Sequence, residues 1–179
     1  MSQQDDDRFG MYGSKKAAAK WDWDQVVRGL GLVSIEFQSL ESLIKLGIAE
    51  LVAKDDPVMG FLVTAEIPFK GLIDLLYVAW EHRNKEVNQE LVKILGRCRK
   101  AAERRNELVH SYWSQQTKDG KNVAVRVKFT ARLRQGFKMK NEIITAAIME
   151  KVALELRDCR LDLYEFLADK LPGLNPKKA

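Results

Sequence analysis

The chain predicts a mainly α-helical bundle with a small β-hairpin inserted before the last helix. Three observations lead there. Apolar residues recur at alternating spacings of three and four through four long stretches. Only NVAVRVKFT, residues 122–130, switches to strict alternation, the period of a half-exposed strand. Pro57, Pro68 and Pro172 fall between the periodic stretches, where a missing N–H does least harm.

The elements follow in order. Residues 1–20 are polar and Gly-containing without periodicity, and read as a mobile N-terminal tail. Leu30, Val33, Phe37, Leu40, Ile44, Gly47 and Leu51 then place one apolar stripe along a helix of about 25–30 residues. Asp55-Asp56-Pro57 ends that helix and starts a short one, Val58 to about Ala65, because an Asp cap and a Pro at the first position deal with donors that a helix start leaves unpaired. Phe69, Leu72, Ile73, Leu76 and Trp80 line the next helix, which runs out near EHRNKE. A third long helix spans roughly 86–113, with Val87, Leu91, Ile94, Cys98, Ala101, Arg105 and Leu108 on its seam. SQQTKDGKN is a turn-rich break. GFKMKNEII is the expected antiparallel partner of NVAVRVKFT, giving a hairpin at about 121–144. Thr145 caps a last helix carrying Ile148, Val152, Leu156, Cys159, Leu163 and Phe166, which stops before Leu171-Pro172-Gly173. Residues 21–172 thus form one domain, and 173–179 a short C-terminal tail.

Bulk properties exclude several classes. A chain of 179 residues, 46% hydrophobic, buries one core. No run approaches the length of a membrane span and the acidic, polar start does not resemble a signal peptide, so a cytoplasmic protein without membrane association is expected. Cys98 and Cys159 are solitary and read as buried thiols, with neither a zinc site nor a disulfide framework suggested. GLGL at 29–32 lies inside a helical pattern and lacks the Lys-Ser/Thr of a phosphate loop. Asp22, Asp24, Glu36 and Glu41 have no His at ligand spacing and read as solvated helix charges, so no metal and no cofactor is expected.

Charge is placed unevenly. The net charge is only +5, yet residues 121–140 hold seven Lys or Arg and no acid. Such a patch supplies salt-sensitive phosphate contacts, or else solvates and protects a sheet edge. Arg126, Lys128, Arg132 and Arg134 on this segment, with Arg104, are the cations expected to meet RNA.

ERRNELVHSYW, residues 103–113, sets polar groups where the apolar seam continues. Arg105 occupies a seam slot, Asn106 and His110 share one flank, and Tyr112 and Trp113 follow. His suits proton transfer near neutral pH, Arg a forked grip on phosphate, and Asn the orientation of either. Together they suffice for phosphodiester cleavage, in which a base takes a ribose 2′-hydroxyl proton and a cation stabilises the charge building on phosphate. On one ideal helix, however, Arg105 and His110 point about 140° apart. They converge only if the helix ends or distorts there, or if a second copy completes the site.

Arg105-Asn106-Glu107-Leu108-Val109-His110 resembles the Arg-x4-6-His motif of HEPN domains, helical ribonuclease-type domains of toxin-antitoxin and antiphage systems. The layout is similar too: a long first helix with F-x-x-L-E (Phe37 to Glu41), a connector into I-P-F, and a long helix ending in RNxxxH and an aromatic, together about residues 24–113. The resemblance implies a HEPN-like bundle that forms a homodimer around a shared cleft and cleaves RNA without metal. Arg105 would bind the scissile phosphate, His110 act as general base or acid, and Asn106 position them. His110-Ser111-Tyr112 further resembles toxins whose Tyr is modified by a partner nucleotidyltransferase antitoxin; the plainer reading makes Tyr112 a packing aromatic. The competing class is a non-catalytic nucleotide- or RNA-binding or scaffold module.

Overall fold

In the computed structural model, which describes residues 23–118, 121–132 and 136–174, helix α1 (Trp23–Val52) runs the full 30 residues that its stripe predicts. Val33, Leu40 and Ile44 on that stripe are completely buried, and so is Ile48 beside it, chiefly against α5 (Ala146–Lys170). Fully burying each such side chain contributes on the order of 1.5–3 kcal/mol. α5 starts where expected, with Thr145 Oγ1 accepting from the Ile148 amide at 3.4 Å. Its seam is shifted by one position at the start: Met149 is buried and Ile148 is exposed.

Helix α2 (Pro57–Thr64) is capped by Asp56, whose carboxylate accepts from the Met59 amide at 3.1 Å. It crosses the end of α1 at Gly60, where a Cβ would stand 2.4 Å from Ala49 Cβ. Only a glycine allows that approach. Helix α3 (Phe69–Asn84) buries Leu72, Ile73, Leu76 and Trp80, with the Trp80 ring 4.9 Å from that of Phe166. It ends on Lys85, in the left-handed region at φ 59°.

Helix α4 (Gln89–Val109) is shorter at both ends than its apolar pattern suggests. Asn88 caps it by accepting from Glu90 N and Leu91 N, so Val87 stays outside and exposed. The other end stops before His110 because Tyr112 and Trp113 belong to a strand, β1 (Tyr112–Lys118). Two ion pairs, Arg97 with Asp162 and Arg104 with Glu155, fix α4 antiparallel to α5.

The expected hairpin is therefore part of a three-stranded antiparallel sheet, ordered β1, β2 (Lys121–Arg132), β3 (Gly136–Ile143). The turn-rich stretch after Trp113 supplies β1, whose Tyr112, Trp113 and Ser114 pair with Val127, Arg126 and Val125. As the middle strand, β2 is buried on both faces over Ala124–Val127, and emerges only at Lys128. Ala124, Ile144, Leu108 and Trp113 join the sheet to the helical core. At the far end Leu171 is buried in the core and Leu174 packs against it. The expected tail 1–20 lies outside the described residues. Among the described residues no helix is long and apolar enough to cross a membrane.

Candidate functional site

The last carbonyls of an α-helix have no intrahelical donors, and satisfying them at the end of α4 is what builds the site. His110 is the C-cap, at φ −96° and ψ 18°, and its amide donates to Asn106 O at 3.0 Å. Glu107 O accepts from Ser111 Oγ and from Arg126 Nη1, the latter at 2.9 Å. Leu108 O accepts from Trp113 Nε1 at 3.1 Å. The aromatic pair is thus divided: Trp113 closes the helix, and Tyr112 stays exposed.

Beside this cap an open groove of about 350 Å³ is lined by Asn106, Glu107, His110 and Ser111 at the α4 end, by Tyr112 of β1, and by Val127, Lys128 and Phe129 of β2. His110 is exposed. Phe129 and Tyr112 in the groove lining are both exposed.

Arg105 faces elsewhere. Its guanidinium carbon lies 4.2 Å from the centroid of the Phe37 ring on α1, within cation–π range. Nη1 donates to Asn106 Oδ1 at 2.9 Å. Burial pushes the guanidinium below its ordinary range and Glu41 partly offsets this. The chain therefore brings Asn106 to both partners, Arg105 by a hydrogen bond and His110 through the groove wall. It does not aim Arg105 and His110 at one point. Phe37 and Glu41, the first and last residues of F-x-x-L-E, are one helical turn apart and both meet Arg105. Glu41, expected as a solvated charge, is only partly exposed and also pairs with Lys45 at 2.8 Å. Their four-residue spacing, matched to the Arg in the α4 seam, is the signal by which they were identifiable.

The expected RNA-contacting cations divide into distinct cases. Arg126 is 6% exposed and serves the fold: Nη2 binds the Glu142 carboxylate across the sheet, and Nη1 binds Glu107 O and, at 3.4 Å, the Glu107 carboxylate. Its expected role as a phosphate contact is therefore corrected to that of a helix-capping and cross-strand cation. The reason is position, since it stands on the middle strand between Trp113 and Glu142 rather than on an edge. Arg104 pairs with Glu155 on α5 while keeping half its side chain exposed. Lys128 is exposed at the groove, 3.7 Å from Glu107 and directly opposite Lys140 on β3. Arg132 ends β2, with its side chain outside the described residues, and Arg134 lies wholly outside them. His82 sits exposed in the last turn of α3, remote in sequence and element from the groove.

The comparisons with known proteins give no match: no family model matches the chain, and no curated protein or solved structure does either.

Proposed function

We propose that the chain is a metal-independent endoribonuclease of the HEPN type, acting as a toxin or antiphage defence effector. Arg105, Asn106 and His110 form its reactive set. The observation that carries this reading is the double role of Asn106, which holds the Arg105 guanidinium at 2.9 Å and lines the same open groove as exposed His110. The imidazole takes the 2′-hydroxyl proton of a ribose seated in the groove, while a guanidinium stabilises the phosphate. Lys128 opposite Lys140 also supports a polyanionic ligand. Like charges directly across a sheet repel, and a phosphate between them relieves that repulsion. Because Arg105 faces α1 and His110 the groove, the reading includes a homodimer in which a second α4 end supplies the guanidinium.

The test is incubation of the purified chain with single-stranded RNA in EDTA. Wild type cuts it and leaves a cyclic phosphate end, whereas His110→Ala and Arg105→Ala lose at least about a hundredfold in rate, the usual scale for a general acid-base group. Uncut RNA, or variants that cut like wild type, ends the catalytic reading.

A second reading, a non-catalytic nucleotide- or RNA-binding or scaffold module, has its own support in the engagement of Arg105 with Phe37 and Asn106. It predicts binding without cleavage in the same experiment. A cognate antitoxin, such as a nucleotidyltransferase acting on Tyr112, belongs to the first reading only. Tyr112 is 44% exposed at the groove, so a bulky anionic group added there would obstruct it.

A further inference from the structure

The two cysteines stand far apart in sequence, yet they meet. The ion pairs Arg97–Asp162 and Arg104–Glu155 set the register of α4 against α5, and that register brings Cys98 alongside Cys159 between them. Both cysteines are buried in the core shared by the two helices, Cys98 fully and Cys159 4% exposed, and each thiol perturbs the other. A small cavity of about 230 Å³ opens beside them, lined by Cys159 together with Arg97, Lys100, Ala101, Arg104, Glu155 and Asp158. Cys159 is thus the cysteine that borders the cavity, and Cys98 is not part of its wall.

We propose that Cys98 and Cys159 form a peroxide-responsive dithiol, oxidised within one chain to a disulfide that ties α4 to α5. Hydrogen peroxide is the two-electron oxidant. The Cys159 sulfur attacks one peroxide oxygen, the O–O bond breaks, and water leaves, so that Cys159 becomes a sulfenic acid. The Cys98 sulfur then attacks the Cys159 sulfur and the S–O bond breaks. The departing hydroxide takes the Cys98 proton and leaves as a second water. Two electrons have passed from the thiol pair to the peroxide.

The order of events follows from the surroundings. The Cys98 hydrogen bond favours the Cys159 thiolate, and so does Arg97; burial, Asp162 and Asp158 oppose them, with the balance below the ordinary thiol range. Cys98 is held well above that range by its hydrogen bond to Cys159 and by burial. Because Cys159 borders the cavity and Cys98 does not, Cys159 is the attacking sulfur and Cys98 the resolving one. Because Cys98 and Arg105 are seven residues apart on the α4 seam, the bond would stiffen the helix that carries the proposed reactive set.

The full-length folded chain is treated with a modest excess of hydrogen peroxide, quenched with an alkylating agent after unfolding, and analysed by intact mass and peptide mapping. The expected product has lost two hydrogen atoms, contains a Cys98–Cys159 cross-link, takes up no alkylating agent, and reverts with dithiothreitol. Its thermal midpoint is raised by at least about 5 °C relative to the reduced chain, because the bond closes a long loop in the unfolded state. Cys98→Ser under the same treatment stalls with a dimedone-reactive sulfenic acid on Cys159. Two thiols still open to alkylation, oxidation confined to methionine, or cross-linking only between chains overturns the proposal. The wild-type mass decides the matter even if the variant folds poorly.

Discussion

Replacing Arg126 by Ala separates a structural cation from one proposed to contact RNA. The guanidinium donates to Glu107 O at 2.9 Å, and a charged hydrogen bond of that kind is worth about 1.5–3 kcal/mol net. A cation at a helix C-terminus adds about 0.3–1 kcal/mol. The cross-strand pair with Glu142 adds about 0.2–1 kcal/mol, held low because that carboxylate is 41% exposed. Allowing for overlap, Arg126→Ala costs about 2–4 kcal/mol, a fall of roughly 5–15 °C in thermal midpoint for a chain of this size. Lys128, two residues on, is half exposed and 3.7 Å from Glu107, so Lys128→Ala costs under about 0.5 kcal/mol. Thermal and urea melts of both variants check the difference. In molar salt the Lys128 effect vanishes by screening, while most of the Arg126 effect persists. On the proposed reading, RNA binding gives the opposite ranking: Lys128→Ala weakens it in a folded protein and flattens its salt dependence. A melting midpoint for Arg126→Ala within about 2 °C of wild type would refute the assignment of this residue to the fold. So would equal losses in the two variants.

Other substitutions test neighbouring parts of the argument. Gly60→Ala should destabilise by about 1–3 kcal/mol in urea melts, because the new methyl meets Ala49 Cβ at 2.4 Å and outweighs the gain of about 1 kcal/mol in helix propensity. Gly31→Ala, with no atom within 4 Å of the added Cβ, should stabilise α1 by about 0.5–1 kcal/mol, and a loss there would show that the site is not open. Asn88→Ala removes the acceptor for two first-turn amides of α4 and should cost about 1 kcal/mol in the same melts. Asn106→Ala should leave the melting midpoint within a few degrees of wild type, yet lower single-turnover RNA cleavage by about 10–100-fold. Unchanged cleavage would remove Asn106 from the proposed reactive set.

The helices were legible in the sequence wherever burial and capping agreed. Asp56-Pro57 and Thr145 stand at helix starts as their chemistry requires, and the α1 stripe holds the buried Val33, Phe37, Leu40 and Ile44 while missing Val26, Leu43, Ile48 and Ala49. The end of α4 was not legible, because Leu108 continues the apolar seam while the stop comes from outside the helix. Trp113 and Arg126 provide the donors that make termination at Val109 favourable, and one of them lies 19 residues downstream of the carbonyl it binds. β1 was obscured for a related reason. Its YWSQQTK is polar and short, and its register is set by pairing with β2 rather than by an apolar face of its own. The four-residue spacing of Phe37 and Glu41 was visible, but which cation they would receive depends on how α1 meets α4. The same holds for Cys98 and Cys159, whose meeting is a property of the α4–α5 register.

That the residue beside Arg105 is Asn rather than Asp bears on what the guanidinium can still do. Either side chain accepts a hydrogen bond from Nη1 in the observed geometry. An Asp carboxylate would also neutralise the cation at close range, as Glu155 does for Arg104 and Glu142 for Arg126. The neutral Asn106 amide fixes the orientation of Arg105 while leaving its charge uncompensated by that partner. Phe37 acts in the same sense, binding the flat face of the guanidinium without contributing a formal negative charge. Glu41 is the carboxylate that acts on Arg105, and its attraction is shared with Lys45. Arg97, Arg99, Arg104 and Arg126 are bound to carboxylates by direct contact, whereas the described bond and ring contact of Arg105 are to an amide and an aromatic ring. On the proposed reading, this difference is what would suit Arg105, among the α4 arginines, to meet an incoming phosphate.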